Sequence, residues 1–266
     1  MDSHLIVTDL DNTLLDDTHA LDRFTIDTFR ELDARGHHIA LASGRHYHDI
    51  AAFRRHLGVP AYILSTNGAH LYAPDDTLIA EQWVPAAQVR RLVDMPREAD
   101  VRLNFYTRDA WLIDAPAPEL LVLHASTGFG YRVADLAAHD GEGVGKVLCI
   151  GRPESLARLE AAIRDALGEA LHVTYSMADS LEIMAAGVNK GTALQRLLAH
   201  LALPAERCLA FGDNLNDTEM LALAGHAFVM DNAHPALTGH VPHAERIGHH
   251  HPDGVARRLR DFFALD

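Results

Sequence analysis

The stretch Leu5-Ile-Val-Thr-Asp9-Leu-Asp11-Asn-Thr13-Leu14 opens as an aliphatic, β-branched run and passes at once into acids and turn formers. Such a run reads as a short strand whose end is a polar loop. The chain that follows decides what kind of sheet it enters. Residues 21–35 place Leu21, Phe24, Phe29 and Leu32 along one helical stripe and stop at Gly36, a residue suited to the left-handed position after a helix. His38–Leu41 is a second strand, 46–57 a helix halted by Gly58, and Tyr62–Leu64 a third strand running into Asn67-Gly68, with a polar hairpin around residues 74–76. Strands alternating with helices predict a parallel, doubly wound α/β sheet.

From about residue 83 the pattern changes. Short strand-like pieces at 101–106, 110–113, 129–133, 145–150, 171–176 and 180–184 surround only two clear helical stretches, 116–126 and 154–167. After Gly187 the first rhythm returns, with helix 190–201, strand 207–211, helix 215–224, strand 227–230 and a final helix near 253–263. The expected organisation is one domain from residues 1–82 and 187–266, with 83–186 inserted as a smaller α/β unit.

Composition narrows the function. The 266 residues are 48% apolar, enough for a substantial core, and 37 acidic against 23 basic side chains leave a formal charge of -14. That balance argues against a nucleic-acid or anionic-membrane partner. No run approaches the ~20 apolar residues of a bilayer span, and residues 1–8 lack the basic start and apolar stretch of a signal peptide, so a cytoplasmic location is expected. Cys149 and Cys208 sit inside apolar runs and read as buried free thiols. His249-His250-His251, distant from the acidic motifs in sequence, reads as a solvated loop.

Four loops carry chemistry. In an extended segment residues i and i+2 point the same way, so Asp9 and Asp11 can present two carboxylates at the strand end, where α/β sheets bind ligands. Two close anions raise one pKa or demand a cation. Phe211-Gly-Asp213-Asn214-Leu-Asn216-Asp217 again follows a strand and precedes a helix. Asp213 and Asp217 add acids, and Asn214 and Asn216 add neutral oxygens; a hard oxygen set without histidine or thiol suggests magnesium rather than zinc. Helix capping alone would account for one of these four residues. Ser43-Gly44-Arg45 after the second strand, and Asn189-Lys190-Gly191-Thr192 at a helix start, offer a hydroxyl, close backbone amides and a cation to a phosphate.

In this order, Asp9-x-Asp11-x-Thr13, Ser43, Lys190 and Gly212-Asp213-x-x-Asn216-Asp217 resemble the four motifs of the haloacid dehalogenase superfamily. The long insertion between Ser43 and Lys190 resembles the type-two cap of its Cof-type branch. So do the phrases Thr66-Asn-Gly68, Leu181-Glu-Ile-Met184 and Val229-Met-Asp-Asn-Ala233. One departure is Asn12, where the family usually has glycine. The resemblance implies a Rossmann-like core with an inserted cap that selects the substrate. It implies a phosphatase with Asp9 as nucleophile, forming an aspartyl phosphate, and Asp11 as acid and base. Magnesium would sit on Asp9, the Asp11 carbonyl and Asp213, with Asn214 and Asp217 close by. Phosphate would be held by Ser43, the Leu10 and Gly44 amides, Lys190 and Asn216, with Arg45 and Asn67 either touching substrate or bracing turns.

The implied substrate is a small phosphorylated metabolite. Hydroxymethylpyrimidine pyrophosphate (HMP-PP) is the leading candidate, with sugar phosphates, pyridoxal phosphate and flavin mononucleotide as alternatives. A phosphomutase shares the first step. A phospho-accepting receiver module uses similar groups, but it is much shorter and carries adjacent paired acids. In the cap, Asn104, Phe105, Tyr106, Trp111, Phe129 and Tyr131 either stack on a heterocycle or form core. The sequence leaves the oligomeric state open.

Overall fold

The computed structural model describes residues 3–265; Met1, Asp2 and Asp266, at the ends of the expected outer segments, lie outside it. The chain runs β1 (Leu5–Thr8), α1 (Arg23–Ala34), β2 (His38–Ala42), α2 (Tyr47–Leu57), β3 (Ala61–Ser65), β4 (His70–Tyr72) and β5 (Leu78–Glu81). It continues through α3 (Ala86–Asp94), β6 (Arg102–Thr107), β7 (Trp111–Ile113), β8 (Tyr131–Val133), β9 (Val144–Ile150), α4 (Pro153–Leu167), β10 (Leu171–Met177) and β11 (Ser180–Ala185). It closes with α5 (Lys190–Leu201), β12 (Cys208–Gly212), α6 (Thr218–Leu223), β13 (His226–Val229), α7 (Leu237–His240), β14 (Glu245–Arg246) and α8 (Gly254–Phe263).

The larger sheet has the order β14-β13-β12-β1-β2-β3-β4-β5. It is parallel from β14 to β3 and ends in the antiparallel β3-β4-β5 hairpins. Alternation along each strand divides its side chains between two helical layers. Ile6, Ile39, Leu41, Ile63 and Phe211 pack with α1, α2 and α8. Leu5, Val7, Ala40, Ala42 and Ala210 pack with α5 and α6. This is a doubly wound parallel core. Both cysteines are buried and free, and burial pushes each thiol up to about 12.

The smaller sheet, β10-β11-β9-β6-β7-β8, is antiparallel apart from the β7/β8 pair. Period-two alternation gives it two unlike faces. Leu103, Phe105, Val147, Cys149, Leu181 and Ile183 pack against α3 and α4. The intervening Asn104, Tyr106, Lys146, Leu148 and Glu182 turn the other way, toward the carboxyl ends of the core strands.

Several expectations need correction. The helix expected at 116–126 is a run of tight turns, Pro118–His124, because Leu120 to Leu123 form no single apolar stripe and the Leu123 carbonyl is taken by Arg45 Nη1 at 2.9 Å. The expected helix at 215–224 divides into a tight turn, Leu215–Asp217, and α6. Helix α3 was not foreseen: Pro85 precedes it without a side-chain cap, and only Val89 and Leu92 mark its buried stripe. His250 is not solvated. It is buried, with Nε2 at 2.8 Å from Asp17 Oδ1 and its N–H donated to Asn232 Oδ1 at 3.0 Å. Sequence distance from the acidic motifs concealed this because the 249–253 loop folds back beside the loop after β1.

Gly191 lets α5 approach α6: a Cβ there would lie 2.6 Å from Glu219 backbone atoms. Overpacking against backbone has no flexible side chain to absorb it, so Gly191→Ala is expected to lower unfolding free energy by about 1–3 kcal/mol. A urea denaturation midpoint measured beside the wild type checks this.

Candidate active site

Register brings the first two acids together. β1 and β12 are hydrogen-bonded neighbours with Thr8 opposite Phe211, and the Asp9 N–H continues the ladder to the Phe211 carbonyl at 3.0 Å. Asp9 and Asp213 therefore leave adjacent strand ends, about one strand spacing of 4.8 Å apart. Asp9 is extended, Asp11 is extended, and Asn12 takes φ 57 and ψ 13, which turns the chain back into the core. Thr13 Oγ1 donates to Asp213 Oδ1 at 2.8 Å, joining the two loops.

Lys190, the first residue of α5, is fully buried between carboxylates. Its Nζ lies 2.6 Å from Asp9 Oδ1 and 2.6 Å from Asp217 Oδ1. Asn189 and Thr192 cap that helix reciprocally and fix where the lysine emerges. Asp217 Oδ2 accepts the backbone N–H groups of Asp213 and Asn214, each at 3.0 Å, so both of its oxygens are engaged. Ligand atoms of Asp9, Asp213 and Asp217 lie within 4.8 Å of one another. Burial, reinforced by the neighbouring carboxylates and opposed by Lys190, pushes Asp9 well up. Burial and the Asp217 charge push Asp213 up to about 7. One ammonium does not balance three buried carboxylates. This oxygen-only donor set with excess negative charge fits a hard divalent cation such as Mg2+.

Asp11 is treated differently. Burial works to raise it, but Arg45 grips it with two bonds, Nε to Oδ2 and Nη2 to Oδ1, both 2.7 Å, and holds it far below the usual carboxylate range. Arg45 Nη1 reaches Asp49 Oδ2 at 2.6 Å. Asp49 in turn meets His124 Nδ1 at 2.8 Å and accepts from the Thr127 hydroxyl. Arg45 is thus a hub joining α2, the motif loop and the inserted unit. Next to it, neutral His46 donates from Nε2 to the Thr107 carbonyl at 2.9 Å while burial holds its ring down to about 4.

Asp9, Asp11, Arg45, His124 and Asp213 line a cavity of about 390 Å³ between the two sheets. Its floor includes Asp9, Asp11, Ser43, Gly44, Asp213 and Asn216, and its roof includes Tyr106, Trp111, Leu120, Leu123, Leu148 and Ile150. The aromatic residues divide as alternation requires. Tyr106 and Trp111 face the cavity and Phe105 the helix layer, with Phe129 and Tyr131 behind Trp111 and Asn104 accepting from Trp111 Nε1 at 2.8 Å. The Leu10 side chain belongs to the core. Asn214 caps the Leu215 N–H at 2.8 Å and donates to the Ser176 carbonyl of the inserted sheet at 2.6 Å. Asn67 donates to Glu182 and accepts from Asn216 Nδ2 at 3.2 Å. Lys146, Asp49 and His124 escaped sequence reasoning, and Glu182 entered it only within the phrase Leu181-Glu-Ile-Met184, without a role. The available signal was a lone charge inside each apolar strand, at Lys146 and Glu182.

The haloacid dehalogenase-like hydrolase profile matches residues 6–259. The HMP-PP phosphatase of Cronobacter sakazakii is 33% identical over 251 residues, covering 94% of this chain and 92% of that one. A haloacid dehalogenase-like hydrolase from Bacteroides thetaiotaomicron superposes with a TM-score of 0.86 at 24% identity, over 98% of this chain and 100% of the other. A sugar phosphatase of subclass IIB gives 0.83 at 17% identity, over 99% and 100%. No helix among the described residues is long and apolar enough to cross a membrane. The strand-end acids, the buried lysine and these likenesses agree: the chain belongs to the haloacid dehalogenase-like hydrolases, and it is an enzyme of the phosphatase kind.

Proposed function

We propose that the chain is a magnesium-dependent phosphohydrolase working through an aspartyl phosphate on Asp9, with HMP-PP as substrate. The observation that carries the mechanism is the cluster of Asp9, Asp213 and Asp217 with buried Lys190 between the first and the last, of which Asp9 and Asp213 reach the floor of the cavity. Asp9 Oδ1 faces Lys190, which leaves Oδ2 to attack phosphorus. A carboxylate approaching a phosphate dianion is repelled unless positive charge lies between them. Lys190 supplies one such charge. Mg2+ held by Asp9, the Asp11 carbonyl and Asp213 would supply the rest and draw charge from the phosphoryl oxygens. Asp217, with both oxygens engaged, orients Lys190 and the metal loop.

The Arg45 grip keeps Asp11 in its basic form, suited to drawing a proton from the water that hydrolyses the aspartyl phosphate. Protonating the leaving oxygen requires that grip to open, and Asp49 is already placed to retain the guanidinium. Ser43, the Leu10 and Gly44 amides and Asn216 surround the phosphate position, where positioning and charge supply most of the rate.

Substrate choice is argued from the roof. Tyr106, Trp111, Leu148 and Ile150 form an aromatic and aliphatic wall suited to a flat heterocycle, and the HMP-PP phosphatases cover nearly the whole chain.

Asp9→Asn is expected to keep the fold, seen as an unchanged circular dichroism spectrum, while phosphate release falls at least about a thousandfold. Wild-type turnover should vanish in EDTA and return with added magnesium, whereas persistence in chelator would remove the metal assignment. In a phosphate-release panel, HMP-PP should show the highest kcat/KM; a higher value for a sugar phosphate would overturn the substrate assignment.

A further inference from the structure

Lys146 in β9 and Glu182 in β11 form an ion pair that the reaction scheme leaves without a task. Their side chains are 2% and 4% exposed, and Nζ lies 2.5 Å from Glu182 Oε1. The same ammonium donates to the Gly44 carbonyl at 2.5 Å and sits 4.4 Å from the centre of the Tyr106 ring. Glu182 Oε2 accepts from Asn67 Nδ2. The carboxylate rests directly on Gly44: a Cβ there would meet Glu182 Oε1 at 3.0 Å and Oε2 at 3.2 Å. The inserted sheet thus presses a buried charge pair onto both loops that flank the phosphate position.

Burying two charges costs several kcal/mol per ion, and apolar residues of similar volume often stabilise as well or better. Stability alone does not account for the pair. Its contacts do. On one arm, Lys146 holds the Gly44 carbonyl, and the N–H of that same peptide, on Arg45, donates to Ser43 Oγ at 3.2 Å. With its oxygen accepting from one side, the Ser43 hydroxyl is left with its hydrogen for the cavity it lines. On the other arm, Glu182 fixes the Asn67 amide, whose Oδ1 takes one hydrogen of Asn216 Nδ2 at 3.2 Å and leaves the second free. Thr66 and Asn67 both sit at φ 55, a conformation costing on the order of 1–3 kcal/mol for a residue held there and persisting only where neighbours enforce it.

We propose that Lys146 and Glu182 are positioning residues for phosphate: carried by the inserted sheet, they aim the Ser43 hydroxyl and the Asn216 amide, so the phosphate pocket is complete only when the two sheets are seated together. The proposal rests on the phosphatase reading of the site. It adds that part of the phosphate cradle is built from the substrate-selecting side of the molecule.

The test is the double variant Lys146→Met/Glu182→Leu in the full chain with magnesium present. It removes both charges at similar volume while the Gly44 carbonyl and the Asn67 amide lose these partners, so the two effects oppose and Tm should change little. KM for p-nitrophenyl phosphate and the inhibition constant for inorganic phosphate should each rise at least about tenfold, since small misplacements of positioning groups carry large penalties. Glu182→Gln is the second variant: its amide nitrogen must face either Lys146 or Asn67, both donors, so the phosphate constant should rise there too. Wild-type phosphate affinity in either folded variant, or a loss of Tm without a change in phosphate affinity, overturns the positioning role. A wild type that hydrolyses no phosphate ester overturns the phosphatase reading beneath it, whereas an active wild type with unaltered variants overturns only this proposal.

Discussion

Repulsion among the carboxylates of Asp9, Asp213 and Asp217 is the constraint around which the rest of the structure is arranged. Parallel pairing of β1 with β12 forces the first two together, because each follows directly on its strand and the strands are neighbours. The third is drawn in by two backbone N–H groups and by Lys190. In water such a cluster would disperse. Here burial forbids dispersal, and the same low dielectric that makes the crowding costly makes any arriving positive charge strongly attractive. The lysine cannot be moved without leaving Asp9 and Asp217 uncompensated. The close approach of α5 to α6, for which Gly191 leaves room, is therefore a condition of this charge arrangement as much as of packing.

The second sheet meets this charged floor with one face only. Period-two alternation sends every second side chain of β6, β9 and β11 into the α3 and α4 layer and leaves the others to form a roof. That roof is apolar where Tyr106, Trp111 and Leu148 lie, and buried charge enters it at Lys146 and Glu182. Many of the bonds that seat it come from one short core segment, where the Gly44 carbonyl, Arg45, His46 and Asp49 each contact the inserted unit, and Asn67 and Asn214 add others. Contacts gathered at the start of α2 lie beside the Asp11 carboxylate that Arg45 grips, so a shift of the roof is felt there.

The core strands and the acids at their ends were legible because the signal is local: an aliphatic run, then carboxylates, then a capped helix. Arg45 and Asn67 were visible as neighbours of the site, but not their partners. Arg45 faces Asp49 four residues along its own segment and Leu123 far away in sequence, and nothing in either stretch announces the meeting. Lys146 and Glu182 stand in strands where a lone charge reads equally as a solvent-facing position. Only the stacking of one sheet over the other makes both buried. The 116–126 segment failed for a related reason, since its conformation is set by a guanidinium from elsewhere in the chain rather than by its own periodicity.

Asn12 shows how a local departure is absorbed. At φ 57 a residue with a side chain is less at ease than a glycine would be, though asparagine tolerates the left-handed region better than most. Its carbonyl accepts from Asn232 Nδ2 at 2.8 Å, and Asn232 Oδ1 in turn accepts the His250 N–H at 3.0 Å. His250 is anchored on Asp17, a few residues beyond Asn12. The turn after Asp11 is thus held from outside by the histidine-bearing loop, closing a ring of contacts around the strained residue. That support falls on the segment that keeps Asp9 and Asp11 aimed into one cavity, where a loosened backbone would separate the two carboxylates.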